Sequence, residues 1–241
     1  MLYIKNLTKK FGSFTAVNNI SLEVREGEIF AFLGPNGAGK TTTVKIISGI
    51  LKPTSGEIFL DSLDVVKNPL ESKKYISYIP DEPFVYPYLT AREFLKFISE
   101  VYQIPKPEKD INELLDFFSL MPYADNILSS YSHGMRQKLL IASVVLRKPK
   151  IMLFDEPTVG LDPLSVKKFK ELIKKLTQNG TSIFMCTHIL EMAEKISDRV
   201  AVLKNGSIAA IGSIDDILSK FKGKDLEDVF LDITNEKEVL Y

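Results

Sequence analysis

The 241-residue sequence has no tryptophan, one cysteine and two histidines. A lone thiol, Cys186, excludes a disulfide within the chain, and with only His133 and His188 beside it no Cys/His zinc cluster can be assembled. No structural metal is therefore expected. Cys186 itself falls in the apolar run "TSIFMCTH" and reads as a small buried hydrophobe. Net charge is also lacking. Thirty-one basic residues cancel 31 acidic ones, with no long like-charge block, so nothing favours non-specific attraction to nucleic acid or anionic lipid. The longest apolar run, Leu139 to Leu146, is far short of the ~20 residues of a membrane-spanning helix. The first residues, "MLYIKNLTKKF", carry Lys5, Lys9 and Lys10 but no apolar core of a secretory signal. A cytoplasmic location is expected.

What is present is an ordinary globular composition, 45% hydrophobic and 26% charged, in a chain long enough for one large domain with a smaller subdomain. Apolar segments read as strands at "LYIKNL", "ISLEV", "IFAFL", "GEIFL", "YISYIP", "IMLFD", "SIFMCT", "RVAVL" and "SIAAI". Helical patterns lie between them, at Thr41 to Gly49 and at Ser165 to Thr177, where Val166, Phe169, Leu172, Ile173 and Leu176 share a face. Asp162-Pro163 opens the second as N-cap and first-turn proline, and Asn179-Gly180 closes it. This is an α/β pattern: a mainly parallel sheet preceded by antiparallel strands. From about Phe84 to Leu146 only helical patterns occur, broken by "QIPKPEKD" and "MPYAD", which reads as an inserted helical subdomain. A short C-terminal tail is expected over about 213–241.

"GPNGAGKT" fits G-x-x-x-x-G-K-[ST] at Gly34, Gly39, Lys40 and Thr41, after the strand "IFAFL" and before a helix, the context a phosphate loop requires. Backbone N–H groups of such a loop turn inward on phosphate oxygens, Lys40 reaches the β and γ phosphates, and the Thr41 hydroxyl reaches Mg²⁺. "IMLFDEP" ends a strand in two carboxylates. Alone this could be a solvated acidic turn; beside a phosphate loop, Asp155 suits Mg²⁺ and Glu156 suits the deprotonation of an attacking water. "MCTH" ends the next strand in His188, which should lie beside the strand carrying Glu156, where an imidazole can hydrogen-bond a γ-phosphate.

"YSHGMRQKLL" poses a separate question. Ser132 before a helix start makes a second candidate anion site about ninety residues beyond the first.

Taken together these motifs, in this order over nearly the whole chain, resemble the nucleotide-binding subunit of an ATP-binding cassette (ABC) transporter. The phosphate loop is "GPNGAGKTT", the signature "YSHGM", the acidic motif "IMLFDE", the next loop "VGLD", and the switch histidine His188. "YSHGMRQKL" and "DLEDVFLDIT" are most similar to ATPase subunits of multidrug, antibiotic and polysaccharide exporters. The resemblance implies an ATPase binding ATP and Mg²⁺, a second copy or homologous subunit facing it head to tail, and a separate transmembrane permease, with the chain peripheral on the cytoplasmic face.

It also implies which residues touch ATP: Phe11 on the adenine, Val17, then Gly34, Pro35, Asn36, Gly37, Ala38, Gly39, Lys40, Thr41 and Thr42. Ser132 and Gly134 would serve the neighbour's ATP, and Asp162 would lie at the seam. Thr41, Asp81 and Asp155 would hold the metal. Phe11 could instead be plain core packing. Three positions depart from the usual pattern: His133 for the first signature glycine, Met135 for Gln, and Asp81, in "YIPDEP", for Gln. The aromatic "EPFVYPYLT" falls where the resemblance places the groove for the permease. A soluble cassette ATPase acting on ribosomes or DNA, or a small-molecule kinase, is the competing reading. Neither a second cassette nor an Arg-rich lid is seen in the sequence.

Overall fold

The computed structural model describes residues 1–221 and 225–234. In chain order its elements are β1 (Leu2–Phe11), β2 (Phe14–Val24), β3 (Ile29–Leu33), α1 (Lys40–Ile47), β4 (Ser55–Leu60), β5 (Leu63–Asp64), α2 (Pro69–Ser72), β6 (Ile76–Ile79), α3 (Ala91–Val101), α4 (Glu108–Phe117), α5 (His133–Leu146), β7 (Ile151–Asp155), α6 (Pro163–Gln178), β8 (Ser182–Thr187), α7 (Leu190–Ile196), β9 (Arg199–Lys204), β10 (Ser207–Ser213), α8 (Ile214–Phe221) and α9 (Leu226–Thr234). All nine strands read from the sequence are present. The two-residue β5 and the helices α2, α7, α8 and α9 add to that reading. The expected tail resolves into the end of β10, α8 and α9, and its residues 222–224 and 235–241 lie outside the described residues.

Two sheets form. One is four-stranded and antiparallel, in the order β2-β1-β4-β5. The other runs β10-β9-β3-β8-β7-β6, parallel except for β10 at its edge. Strands β3, β7 and β8 are buried along their whole length, as strands covered on both faces must be. Their side chains alternate between two cores. Ile151, Leu153, Phe184 and Cys186 face α1 and the antiparallel sheet, while Met152, Phe154, Ile183 and Met185 face α5 and α6. Cys186 is a buried core residue, as read, and burial pushes its thiol well up.

The helical segment between β6 and β7 starts with a capping box. Thr90 accepts from the Glu93 N–H at 3.2 Å, and the Glu93 carboxylate accepts from the Thr90 N–H at 2.8 Å. Its core, with Phe94, Leu95, Ile111, Leu115 and Leu139, runs without a break into the sheet face at Met152 and Phe154. α5 belongs to both, since its later residues Ile141, Ala142 and Leu146 pack in the same cluster. Lys168 of α6 pins the segment from the far side, donating to the Phe117 carbonyl at 2.8 Å and the Ser119 hydroxyl at 3.1 Å.

Candidate functional site

Four strands of the parallel sheet end at one edge: β3 in the phosphate loop, β6 before Asp81, β7 in Asp155 and Glu156, and β8 before His188. Because β8 lies between β3 and β7, with β6 next to β7, segments distant in sequence become neighbours there. The phosphate loop, the start of β2 and the segments after β6 and β7 enclose a cavity of about 290 Å³ lined by Phe14, Ala16, Asn36, Gly37, Gly39, Lys40, Thr41, Thr42, Asp81, Asp155 and Glu156, while His188 stands outside this lining. Larger clefts exist elsewhere, but their linings include no phosphate loop.

Gly39 shows why the loop needs glycine. Its φ is +105°, in the left-handed region, and a Cβ there would run into the Ala16 carbonyl oxygen of β2. α1 begins immediately after it with no side-chain cap, which leaves its first N–H groups for an anion. Lys40 is buried and folds back on the loop, donating to the Gly34 and Pro35 carbonyls at 2.5 and 3.1 Å. Ala38 of the loop and Val17 of β2 are buried and do not line the cavity.

Asp155 is almost wholly buried. Desolvation pushes its carboxyl up, a hydrogen bond from the Thr41 hydroxyl opposes this, and the charges of Asp81 and Glu156 raise it further. Its Oδ2 is buried without a hydrogen-bond partner. An orphaned carboxylate oxygen beside a threonine hydroxyl fits the donor set of a hard cation such as Mg²⁺. Among the described residues no group of three or more His, Cys, Asp or Glu side chains converges, so such a cation would need phosphate and water oxygens to complete its shell.

Glu156 follows with φ +50°, a left-handed backbone at a non-glycine residue, and its N–H donates to the Cys186 carbonyl at 3.0 Å. Its carboxylate receives the backbone N–H of His188 at 3.4 Å on Oε2 and faces His188 Nδ1 at 2.8 Å on Oε1. Strain of this kind at the end of a buried strand is held by its surroundings, here the neighbouring β8.

Four more expected residues, Ser132, Gly134, Asp162 and Phe11, lie elsewhere. Ser132 caps α5, accepting from the Met135 N–H at 3.2 Å, and is exposed; neither it nor Gly134 lines the cavity of its own chain. Asp162 caps α6. Its Oδ1 accepts from the Ser165 N–H at 2.9 Å, and its Oδ2 accepts from the Ser165 hydroxyl at 2.6 Å and from Lys138 Nζ at 3.1 Å. Phe11 is half exposed outside the cavity lining, with the Lys9 ammonium 4.9 Å from its ring centre. The aromatic wall of the cavity is Phe14, paired with Phe11 across the β1–β2 hairpin, which reading the motifs alone missed.

With this geometry, the profile of the ABC transporter family matches residues 17–159. The chain belongs to the ABC transporter family. The linearmycin resistance ATP-binding protein LnrL of Bacillus subtilis (strain 168) is 34% identical over 238 residues, 98% of this chain and 76% of that protein. A solved ATP-binding subunit of an ABC transporter is similar at TM-score 0.92 and 31% identity, covering 97% of this chain and 99% of that one. A dimeric ATP-binding cassette in a post-hydrolysis state, bound to ADP and Pi, is similar at TM-score 0.81 and 29% identity, covering 88% of this chain and 98% of that one. This ABC subunit is accordingly an ATP-binding ATPase, the motor of a transporter. Among its described residues no helix is long and apolar enough to cross a membrane.

Proposed function

We propose that this ABC subunit works as one half of a head-to-tail pair driving a separate permease, exporting its cargo, from the cytoplasmic face of the membrane. The observation that carries the pairing is a separation within the chain. Lys40, Thr41, Asp81, Asp155 and Glu156 share one cavity, whereas the capped helix start at exposed Ser132 and half-buried Gly134 lies outside it. A γ-phosphate held by a partner's loop would give that second helix start its anion. The dimeric post-hydrolysis cassette among the similar structures supports this reading.

Within one cavity the phosphate loop holds the β and γ phosphates through backbone N–H groups and Lys40, which exchanges its loop carbonyls for phosphate oxygens. Thr41, Asp155 and Asp81 would hold Mg²⁺, which would neutralise the phosphate charge that builds during transfer. Glu156 takes a proton from the attacking water, and His188 orients the Glu156 carboxylate through the 2.8 Å contact.

The docking surface for the permease is the aromatic stretch after Asp81. Val85 is buried and anchors it, and Tyr86 lies edge-on to Phe97 with centroids 5.6 Å apart. Phe84 and Tyr88 remain 75% and 87% exposed, an apolar patch of the kind a partner helix covers.

Pull-down of the tagged chain from membranes tests the permease, with capture of a multi-span protein lost on Phe84→Asp/Tyr88→Asp as the expected result. Light scattering tests the pair. Mg²⁺ and ATP should dimerise Glu156→Gln protein, and Ser132→Arg should abolish the dimer while the monomer still binds ATP. Loss of ATP binding by a folded Ser132→Arg monomer would make the signature an element of its own chain's site.

A further inference from the structure

The first turns of α5 are seated on the loop that follows Glu156, and the seat has three points. Gln137, fully buried, donates from Nε2 to the Pro157 carbonyl at 3.1 Å. Lys138 reaches Asp162 at the other end of the loop, at 3.1 Å. Between them the helix and loop meet most closely. A Cβ on Gly134 would stand 2.7 Å from the Gly160 carbonyl oxygen, and a Cβ on Gly160 would run into His133 Nδ1, with Cε1 at 2.9 Å and Cγ at 3.4 Å. The His133 ring thus fills the space in which residue 160 would carry a side chain. His133 is itself exposed, so core burial does not account for its place.

The loop is short and internally bonded. Val159 N–H donates to the Glu156 carbonyl at 3.3 Å, and Leu161 N–H to the Thr158 carbonyl at 3.2 Å. Displacing Gly160 therefore pulls on Glu156, whose left-handed φ persists only while its surroundings hold it.

We propose that His133 is a positioning residue for ATP hydrolysis: wedged against Gly160, its ring holds residues 157–162, and through them the backbone and carboxylate of Glu156 in the same chain. This rests on Glu156 being the base. Because His133 follows Ser132 directly, any shift of the α5 start is passed to Glu156 of that chain.

The test is a double-mutant cycle in the full chain, read as kcat and KM for ATP together with nucleotide Kd. His133→Ala should lower kcat by about tenfold or more while KM and Kd change by less than about twofold, since a small misplacement of a catalytic group costs rate and the phosphate loop is untouched. His133→Asn, which keeps Cγ and a planar end, should retain most of kcat. Gly160→Ala should be costly in the native background and at least about fivefold less costly beside His133→Ala, because the clash is gone while the strain of Ala at φ +77° is common to both arms.

Equal cost of Gly160→Ala in both backgrounds overturns the proposal. So does an unchanged kcat in His133→Ala, or a loss of ATP-driven pairing that arises from His133→Ala alone with no coupling to Gly160, which would make the ring a contact to the partner's phosphate. Glu156→Gln run in parallel separates the two readings. Full turnover there sinks the base, whereas an inactive Glu156→Gln with an additive cycle sinks His133 alone.

Discussion

His188 Nδ1 lies 2.8 Å from Glu156 Oε1, joining the ends of two adjacent strands, β8 and β7, across the edge of the sheet. The carboxylate is thereby fixed at both oxygens, one by the ring and one by the His188 N–H.

Glu156→Gln is expected to slow hydrolysis and spare ATP binding. A positioned general base contributes about a hundred- to ten-thousandfold, or roughly 3 to 5 kcal/mol of barrier. Single-turnover rates at saturating ATP check this, and native-like turnover would count against the assignment.

Asp81→Ala should shift the Mg²⁺ dependence of hydrolysis more than nucleotide affinity. Asp81 is exposed on the cavity wall, and its charge acts on buried Asp155. A Mg²⁺ titration of the ATPase rate that leaves the midpoint where it was would reduce Asp81 to a turn residue.

Gly39→Ala should remove ATP binding and lower Tm. The left-handed backbone costs a non-glycine residue about 1 to 3 kcal/mol, before the collision with the Ala16 carbonyl is counted. Thermal melting with a nucleotide titration reads both effects; retained affinity would mean that the loop can shift off β2.

Acid should loosen the start of α6. The Ser165 hydroxyl, then the Ser165 N–H and the Lys138 ammonium, hold the Asp162 carboxyl well below the usual carboxylate range. A depressed pKa adds stability that is present above the unfolded value of 3.8 and is lost as pH falls through the folded one. Asp162→Asn should therefore flatten the acid limb of the Tm-against-pH curve, and an unaltered limb would show that the cap carries no such linkage.

Local rules made much of the molecule legible. A strand covered on both faces announces itself as an unbroken apolar run, as in "IFAFL" and "IMLFD", and Asp162-Pro163 marks a helix start by capping alone. The phosphate loop turns left-handed at Gly37 and Gly39, and with Gly34, Lys40 and Thr41 at fixed spacing around them it could be read directly. The short helix α7 carries no legible period, because its buried residues Met192, Ala193 and Ile196 cover less than two turns.

What the chain decided by itself was which residue types stand at the strand ends; what only the tertiary structure decided was which of them meet. Strand order is set by long-range pairing, and it put β8 between β3 and β7 and so His188 on Glu156. The hairpin of β1 and β2 placed Phe14 rather than Phe11 on the cavity wall although the two are cross-strand partners, since which of them reaches the phosphate loop depends on how the hairpin packs against it. His133, which stands in place of the first signature glycine, lies on Gly160 because α5 docks on a loop more than twenty residues further along. Contacts across such separations depend on packing between elements, and no local propensity encodes them.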